Sequence, residues 1–401
     1  MIARPHYMAF LNRHRDHQLI KVVSGVRRCG KSTLFRLFRE QLAAEGVPKE
    51  RMLTINFEDL AFEGLQEYHA LYAYICEHLA EDGRTYVFLD EIQHVPQFEK
   101  AVDSLFIKEN VDLYITGSNG FFMSGELATL LSGRYVELRM LPLSFKEFCS
   151  GQPLTAQQYP AQLYNRYLQQ SSFPYLTQVE ADEEGVREYL QGIYNTILVK
   201  DTLTRLGMGA PMVINSIMKY LAANIGSLIS PSKIANTLTS AGRKIDNKTV
   251  ERYLQGLKDS LLIYQCDRYD VRGKNLLKIN AKYYLVDTAL RQLLVNATGR
   301  DMGHILENVV YLELLQRGYR VYVGQLPKGE IDFVAETSQG LAYYQVAQST
   351  LDPDVLDREL RPLQQTGDQY PKYLLTLDEI EPEANYNGIL KRNVLRWLVD
   401  K

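Results

Sequence analysis

Residues 25 to 32 read Gly-Val-Arg-Arg-Cys-Gly-Lys-Ser, the spacing G-x-x-x-x-G-K-[ST] in full. The run follows the β-branched stretch "IKVVSG" and opens the helical pattern "KSTLFRLF", which is the strand-to-helix context its chemistry needs. A phosphate chain at such a turn is held by successive backbone N–H groups, by the positive end of the helix dipole and by one lysine. Gly25 and Gly30 let the loop, with Val26, Arg27, Arg28 and Cys29 between them, bend close around phosphates. Lys31 is expected to reach the β- and γ-phosphates, and Ser32 to ligate Mg²⁺, with Thr33 completing the nucleotide-binding segment. Arg27 and Arg28 suit phosphate, nucleic acid or a local acid equally, and Cys29 reads as a small filler. The competing reading is a glycine turn that only packs a strand on a helix; it accounts for the glycines but not for the whole pattern in this place.

The stretch "TYVFLDE" delivers Asp90 and Glu91 to the end of an apolar strand, where two acids are costly without a partner. Beside a bound phosphate chain, Asp90 would hold the magnesium shell and Glu91 would orient or deprotonate an attacking water, so Glu91 separates hydrolysis from binding. The alternative is an acidic helix cap worth about 1 kcal/mol. The next strand, "DLYITGSN", ends in Ser118 and Asn119, placed to sense a γ-phosphate or position water. Arg134 precedes the strand "YVELRM" and suits either a phosphate of an adjacent subunit or a surface salt bridge.

These residues need a scaffold that brings strand ends together. From residue 19 to about 141 the runs "LIKVVSG", "MLTINFED", "YVFLDE", "VDLYITGS" and "YVELRML" alternate with helical stretches, which predicts a parallel five-stranded sheet covered by helices. Residues 155 to 205 carry Leu, Tyr and Ile at helical spacing. Residues 211 to 264 give three helices and then a strand pair, the order of a winged helix. The remainder mixes the helix "GHILENVVYLELLQRG" with strand-like "YRVYVG", "EIDFVAE" and "LAYYQVA".

A chain of 401 residues, 46% hydrophobic and 23% charged, has the material for two or three cored domains. A net charge of -3 excludes a surface coated all over by nucleic acid and leaves room only for a local basic face. Cys29, Cys76, Cys149 and Cys266 lack paired spacing, so neither a disulfide framework nor a zinc site is expected. With no signal-peptide core and no spanning apolar run, a cytoplasmic location away from membranes is expected.

The segments "GVRRCGKST", "FLDEIQHVPQFE", "YITGSN" and "LLSGRYVELRMLPLSFKEF" resemble the Walker A, Walker B, sensor and pre-strand arginine segments of a prokaryotic AAA+-type ATPase family. In that family the ATPase precedes a C-terminal domain of unknown function with a restriction-endonuclease-like fold, and "YNTILVKD", "EIDFVA" and "YYQVA" are similar to its later segments. The resemblance implies an α/β chain with a P-loop ATPase domain over 1–150, a helical lid over 151–208, a winged helix over 209–275 and a PD-(D/E)XK nuclease-like α/β domain over 276–401. It gives Lys31, Ser32, Asp90 and Glu91 nucleotide and magnesium roles, and puts Arg134 in the place of an arginine finger.

Endonuclease-like folds of this type use a helical acid, a strand acid and an E-x-K or Q-x-K on the next strand, with carboxylates on Mg²⁺ and the lysine activating water. Glu307 is the helical acid, Asp332 the strand acid and Gln345 the third position, but Ala347 stands where the lysine belongs. The expectation is an eroded, vestigial site, with Lys328 nearby as the one candidate for rescue. The alternative for Glu307 and Asp332 is a buried pair that stabilises the domain.

Around the recognition-helix pattern "NKTVERYLQGL", Lys233, Arg243, Lys244, Lys248, Arg252 and Lys258 outnumber Asp246, Glu251 and Asp259. Double-stranded DNA and an unknown protein partner both fit that bias. The sequence as a whole reads as an ATP-binding, Mg²⁺-dependent ATPase that acts as a motor or switch, with a homo-oligomer required if Arg134 acts on a neighbour. The alternatives are an ATP-gated DNA nuclease and a non-hydrolysing, ATP-dependent binding switch.

Overall fold

The computed structural model describes residues 2–117, 131, 133–152, 160–179, 181–203, 207, 211–295 and 302–400. The chain divides into two compact units, Met1–Pro142 with Asp259–Leu261, and Leu143–Lys258 with Leu262–Lys401. Among the described residues no helix is long and apolar enough to cross a membrane.

In the first unit, helix α1 (Pro5–His14) precedes strand β1 (Ile20–Gly25), helix α2 (Lys31–Ala44) and strand β2 (Met52–Asn56). Helix α3 (Tyr68–Glu77), strand β3 (Thr85–Asp90), helix α4 (Phe98–Phe106) and strands β4 (Val111–Gly117) and β5 (Tyr135–Met140) follow. The five strands form one sheet in the order β2-β3-β4-β1-β5, every pair parallel, as the alternation of runs predicts. β1, β3 and β4 are buried along their whole length, which is why they read as continuous apolar runs. One part of the core joins Val22, Ile55, Val87, Leu89 and Ile115 of the sheet to Leu71, Ile75, Val102 and Leu105 of α3 and α4. Elsewhere the rings of Phe35 and Phe38 on α2 meet Phe88 and Tyr114 at centroid distances of 5.3 to 6.3 Å, and Phe88 and Tyr114 stack on each other at 4.8 Å. Because all strands run the same way, Gly25, Asp90, Gly117 and Met140 end at one edge of the sheet.

The second unit begins with α5 (Phe145–Ser150), opened by a capping box in which Ser144 and Glu147 exchange side-chain and backbone hydrogen bonds. The unit therefore takes in residues from 143, earlier than the expected border at 150. α6 (Pro160–Gln170) and α7 (Glu183–Thr196) follow, then α8 (Pro211–Ala223), α9 (Pro231–Ser240) and α10 (Asn247–Asp259). Strands β6 (Ile263–Asp270) and β7 (Asn275–Leu285) form an antiparallel hairpin, and Ile229, between α8 and α9, bridges to Ala281.

Next come α11 (Thr288–Leu294), α12 (Met302–Gln316), β8 (Arg320–Gln325), β9 (Glu330–Thr337), β10 (Gly340–Ala347), α13 (Pro353–Gln364), β11 (Lys372–Thr376), β12 (Ala384–Tyr386), β13 (Ile389–Asn393) and α14 (Val394–Val399). The eight strands form one mixed sheet, β12-β13-β11-β10-β9-β8-β6-β7. The expected border at 275/276 lies inside this sheet. It falls in the β6–β7 hairpin, and β6 also pairs with β8 through Arg268, Tyr269 and Asp270, so the hairpin and the C-terminal strands share one ladder.

Candidate functional site

The loop from Gly25 to Lys31 sits at the carboxyl edge of the parallel sheet, where a strand stops and a helix amino terminus begins. Gly25 pairs in register with Met140 of β5, and a Cβ on Gly25 would lie 2.5 Å from the Met140 carbonyl oxygen and 2.8 Å from Cys29 Sγ. Only glycine fits there. Gly30 has a φ of 105°, in the left-handed region that favours glycine, and turns the chain into α2. Val26 and Cys29 are fully buried and fill the underside of the loop, while Arg28 is exposed and Arg27 pairs with Glu58 at 3.3 Å. Burial pushes the Cys29 thiol up, which suits its reading as filler.

Lys31 and the two acids converge. The buried Lys31 Nζ donates to the Gly25 carbonyl at 3.1 Å and lies 3.4 Å from Glu91 Oε1. Asp90, 4% exposed, accepts hydrogen bonds from the Ser32 hydroxyl and, at 2.5 Å, from the Thr116 hydroxyl. Burial raises the Asp90 carboxyl above the usual carboxylate range, against the lowering effect of those two hydroxyls. Glu91 sits at φ 56°, uncommon for a residue with a side chain, where its N–H donates to Thr116 Oγ1 at 2.9 Å. Gln93 Nε2 donates to Glu91 Oε2 at 2.5 Å. A backbone held off its usual region beside two buried acids is strain of the kind found at functional sites. Thr33, in the first turn of α2, is half-buried.

Three contributors here were not singled out in the sequence. Thr116 bridges Asp90 and Glu91 from β4; its one signal is a hydroxyl residue near the end of an otherwise apolar run. Gln93 follows the acids and had no pattern to mark it. Arg4, only 4% exposed, donates to the Cys29 carbonyl at 3.2 Å, to Leu141 at 2.8 Å and to Pro142 at 3.2 Å, and stacks over the Tyr7 ring. It ties the underside of the phosphate-loop backbone to the chain just beyond β5.

Ser118 and Asn119 lie outside the described residues. Arg134 is not brought to this edge: its carbonyl accepts from Ile20 N at the opposite end of β1, and its guanidinium lies 3.8 Å from Asp103 and over the Phe106 ring.

Glu307, Asp332 and Gln345 do come together, on α12, β9 and β10. Asp332 N donates to Gln345 Oε1 at 3.3 Å, Val346 N donates to Asp332 Oδ2 at 2.9 Å, and Gln345 Nε2 donates to Glu359 Oε2 at 2.8 Å. The lysine among them is neither at position 347, a buried alanine, nor Lys328, which is exposed on the β8–β9 turn. It is Lys282 of β7. Its Nζ lies 2.8 Å from Glu307, 2.9 Å from Glu330 and 3.7 Å from Asp332, and Tyr284 donates to Glu307 at 2.5 Å. Burial disfavours both charges, but the Lys282 ammonium and the hydrogen bonds of His304, Lys282 and Tyr284 hold the Glu307 carboxyl below its ordinary value. Burial and the Glu307 charge push Asp332 up to about 8.

Residues 17–149 match a family described as AAA domain (AAA_14), and residues 161–301 match a domain of unknown function (DUF8612). An uncharacterized protein of Haemophilus influenzae is 39% identical over 401 residues, 100% of this chain and 99% of its own length. The uncharacterized protein MJ1544 of Methanocaldococcus jannaschii is 30% identical over 333 residues, 79% of this chain and 71% of its own. Among solved structures, the Walker-type ATPase PABY2304 of Pyrococcus abyssi superposes with a TM-score of 0.51 at 16% identity, over 73% of this chain and 96% of that one, a likeness of fold.

Proposed function

We propose that this chain, which belongs to the family of the Haemophilus influenzae and Methanocaldococcus jannaschii proteins just compared and carries an AAA-type P-loop ATPase domain, hydrolyses ATP. One observation carries the reading: Lys31, Asp90 and Glu91 meet at the carboxyl edge of the sheet, with Thr116 touching both acids. The loop amides and Lys31 bind the phosphates, and Lys31 leaves Glu91 as it engages them. Glu91, oriented by Gln93 and the Thr116 hydroxyl beneath it, then takes the proton of the attacking water. Ser32 and Asp90, already in contact, are a hydroxyl and a buried carboxylate of the kind that fits Mg²⁺, which would neutralise phosphate charge. Ser118 and Asn119 act as sensors of the γ-phosphate or position the water, and Arg134 serves a neighbouring subunit's nucleotide only if the chain works as a homo-oligomer, its partner otherwise being Asp103.

A second reading adds duplex DNA as the agent coupled to turnover. The order of α8, α9 and α10 before the β6–β7 hairpin, with Ile229 bridged to Ala281, supports reading this region as a winged helix. Lys233, Arg243, Lys244, Lys248 and Arg252 are exposed on α9, α10 and their connection, while Asp246 is taken up in capping Thr249. The test is phosphate release with Mg²⁺-ATP for the wild type and Glu91→Gln, each with and without duplex DNA. Hydrolysis that needs Glu91 is the expected result; equal residual release from both proteins refutes the ATPase reading and leaves a binding switch. Stimulation by DNA that Arg252→Ala removes supports the second reading, and indifference to DNA turns the search to a protein partner.

A further inference from the structure

An endonuclease-like fold would imply a divalent cation among Glu307, Asp332 and Gln345, and the residues present do not fit one. The point where the carboxylates converge is held by the Lys282 ammonium, 2.8 Å from Glu307 and 2.9 Å from Glu330, with Asp332 at 3.7 Å. A second positive centre there would be repelled by the ammonium and would have to displace it from three partners.

The third ligand position is also committed. Gln345 uses its oxygen for the Asp332 N–H and its amide nitrogen for Glu359, while one Asp332 oxygen is taken by the Val346 N–H. The far side of Glu307 is shut by backbone: a Cβ on Gly226, in the loop after α8, would lie 2.9 Å from Glu307 Oε2 and 2.7 Å from His304 Nδ1. Among the described residues no group of three His, Cys, Asp or Glu side chains is arranged to hold a metal ion.

We infer that Lys282 is a built-in counter-ion that has taken the seat of a divalent cation, so that the acid cluster fastens α12, β7 and β9 together instead of binding metal. A lysine that activates water stands beside a metal; this one replaces it. The sequence pattern asks for a lysine two residues after Gln345, on β10, whereas Lys282 arrives from β7 and ties its charge to the acids themselves.

The experiment counts Mn²⁺ bound to the full chain without nucleotide, by titration against free Mn²⁺ read by electron paramagnetic resonance. The proteins are the wild type, Asp332→Asn, Lys282→Ala and Lys282→Ala/Asp332→Asn. Wild type and Asp332→Asn should bind the same number of ions. Lys282→Ala should bind one more per chain, and the double variant should lose it. A lower count in Asp332→Asn than in wild type would mean that the cluster holds metal beside Lys282, and overturns the inference. So does a folded Lys282→Ala chain with no additional ion. Should that variant not fold, Asp332→Asn alone decides, because it leaves Lys282 in place. The counts are independent of ATP hydrolysis, so they stand or fall apart from the proposed ATPase.

Discussion

Each unit of this molecule sets a buried lysine beside acids that the sequence singles out, and Lys31 and Lys282 differ in how far the lysine is satisfied. Lys31 has one carbonyl at 3.1 Å and one carboxylate at 3.4 Å, and it opens a helix beside successive loop amides. Lys282 is buried and has three acidic side chains within 3.7 Å. Positive potential left over at a helix start attracts a polyanion, whereas a lysine saturated by acids attracts nothing further. The comparison explains why two lysine-acid groups in one chain serve different ends, one suited to chemistry and one to cohesion.

The largest effects should come from breaking the open site. Lys31→Ala removes the buried ammonium held between the Gly25 carbonyl and Glu91 and should abolish measurable ATP binding, read by a fluorescent nucleotide titration. Glu91→Gln keeps the size of the side chain and removes its basicity, so binding should survive while phosphate release falls by about 100-fold or more. If Glu91→Gln lost binding and turnover together, Glu91 would be positioning Lys31 rather than handling water.

The closed site should respond in stability instead. Lys282→Met leaves Glu307, Glu330 and Asp332 facing one another without their counter-ion, and removing one partner of a buried ionic group costs about 3–5 kcal/mol. Urea denaturation, followed by the tryptophan fluorescence of Trp397 in the same unit, should show the lowered midpoint. A change below about 1 kcal/mol would place the ammonium among weakly coupled surface pairs and undo the contrast with Lys31.

The open site was legible in the sequence because its parts are local. Gly25 to Ser32 fall within eight residues, and Asp90 and Glu91 are adjacent at the end of an apolar run. Three of the five strands, β1, β3 and β4, were legible for a related reason: buried strands are short, continuous and apolar, while the half-buried edge strands β2 and β5 read as strands from their place in the alternation of strand and helix runs. What escaped notice depends on distant pairing. Arg4 reaches a carbonyl 25 residues away and two others more than 130 residues away. Lys282 lies 25 residues before Glu307, in the unremarkable strand "AKYYLV", and nothing in its spacing points at Asp332 on another strand. The hairpin that joins the eight-stranded sheet escaped because β6 pairs with β7 locally but with β8 only across the fold.

Arg4 allows a finer test of the open site, since its hydrogen bonds go to loop and strand carbonyls. By holding the Cys29 carbonyl it fixes the loop backbone from below, so Arg4→Met should lower kcat/KM for Mg²⁺-ATP about tenfold, equivalent to roughly 1.4 kcal/mol. Arg4→Lys should recover only part of this loss, because an ammonium does not reproduce the fork that meets three carbonyls. A loss confined to thermal stability, with kcat and KM unchanged, would make Arg4 a brace for the unit and not for the loop.

A third lysine lies between the two extremes and is read through pH. Lys391 of β13 pairs one-to-one with Asp378 at 2.9 Å, and both side chains are buried. Burial alone would raise the Asp378 carboxyl. Hydrogen bonds from Ser349, Lys391 and the backbone and hydroxyl of Thr350 outweigh it and bring the carboxyl down to about 2. Since the folded chain then releases this proton at lower pH than the unfolded chain, Asp378 adds stability that is fully present above about pH 4 and is lost as the pH falls toward 2. In urea titrations over that window, Asp378→Asn should flatten part of the acid-side decline and lower the midpoint at neutral pH by less than Lys282→Met does. One lysine matched to one well-bonded acid should thus report itself mainly through pH, whereas one lysine shared among three acids reports itself through the fold.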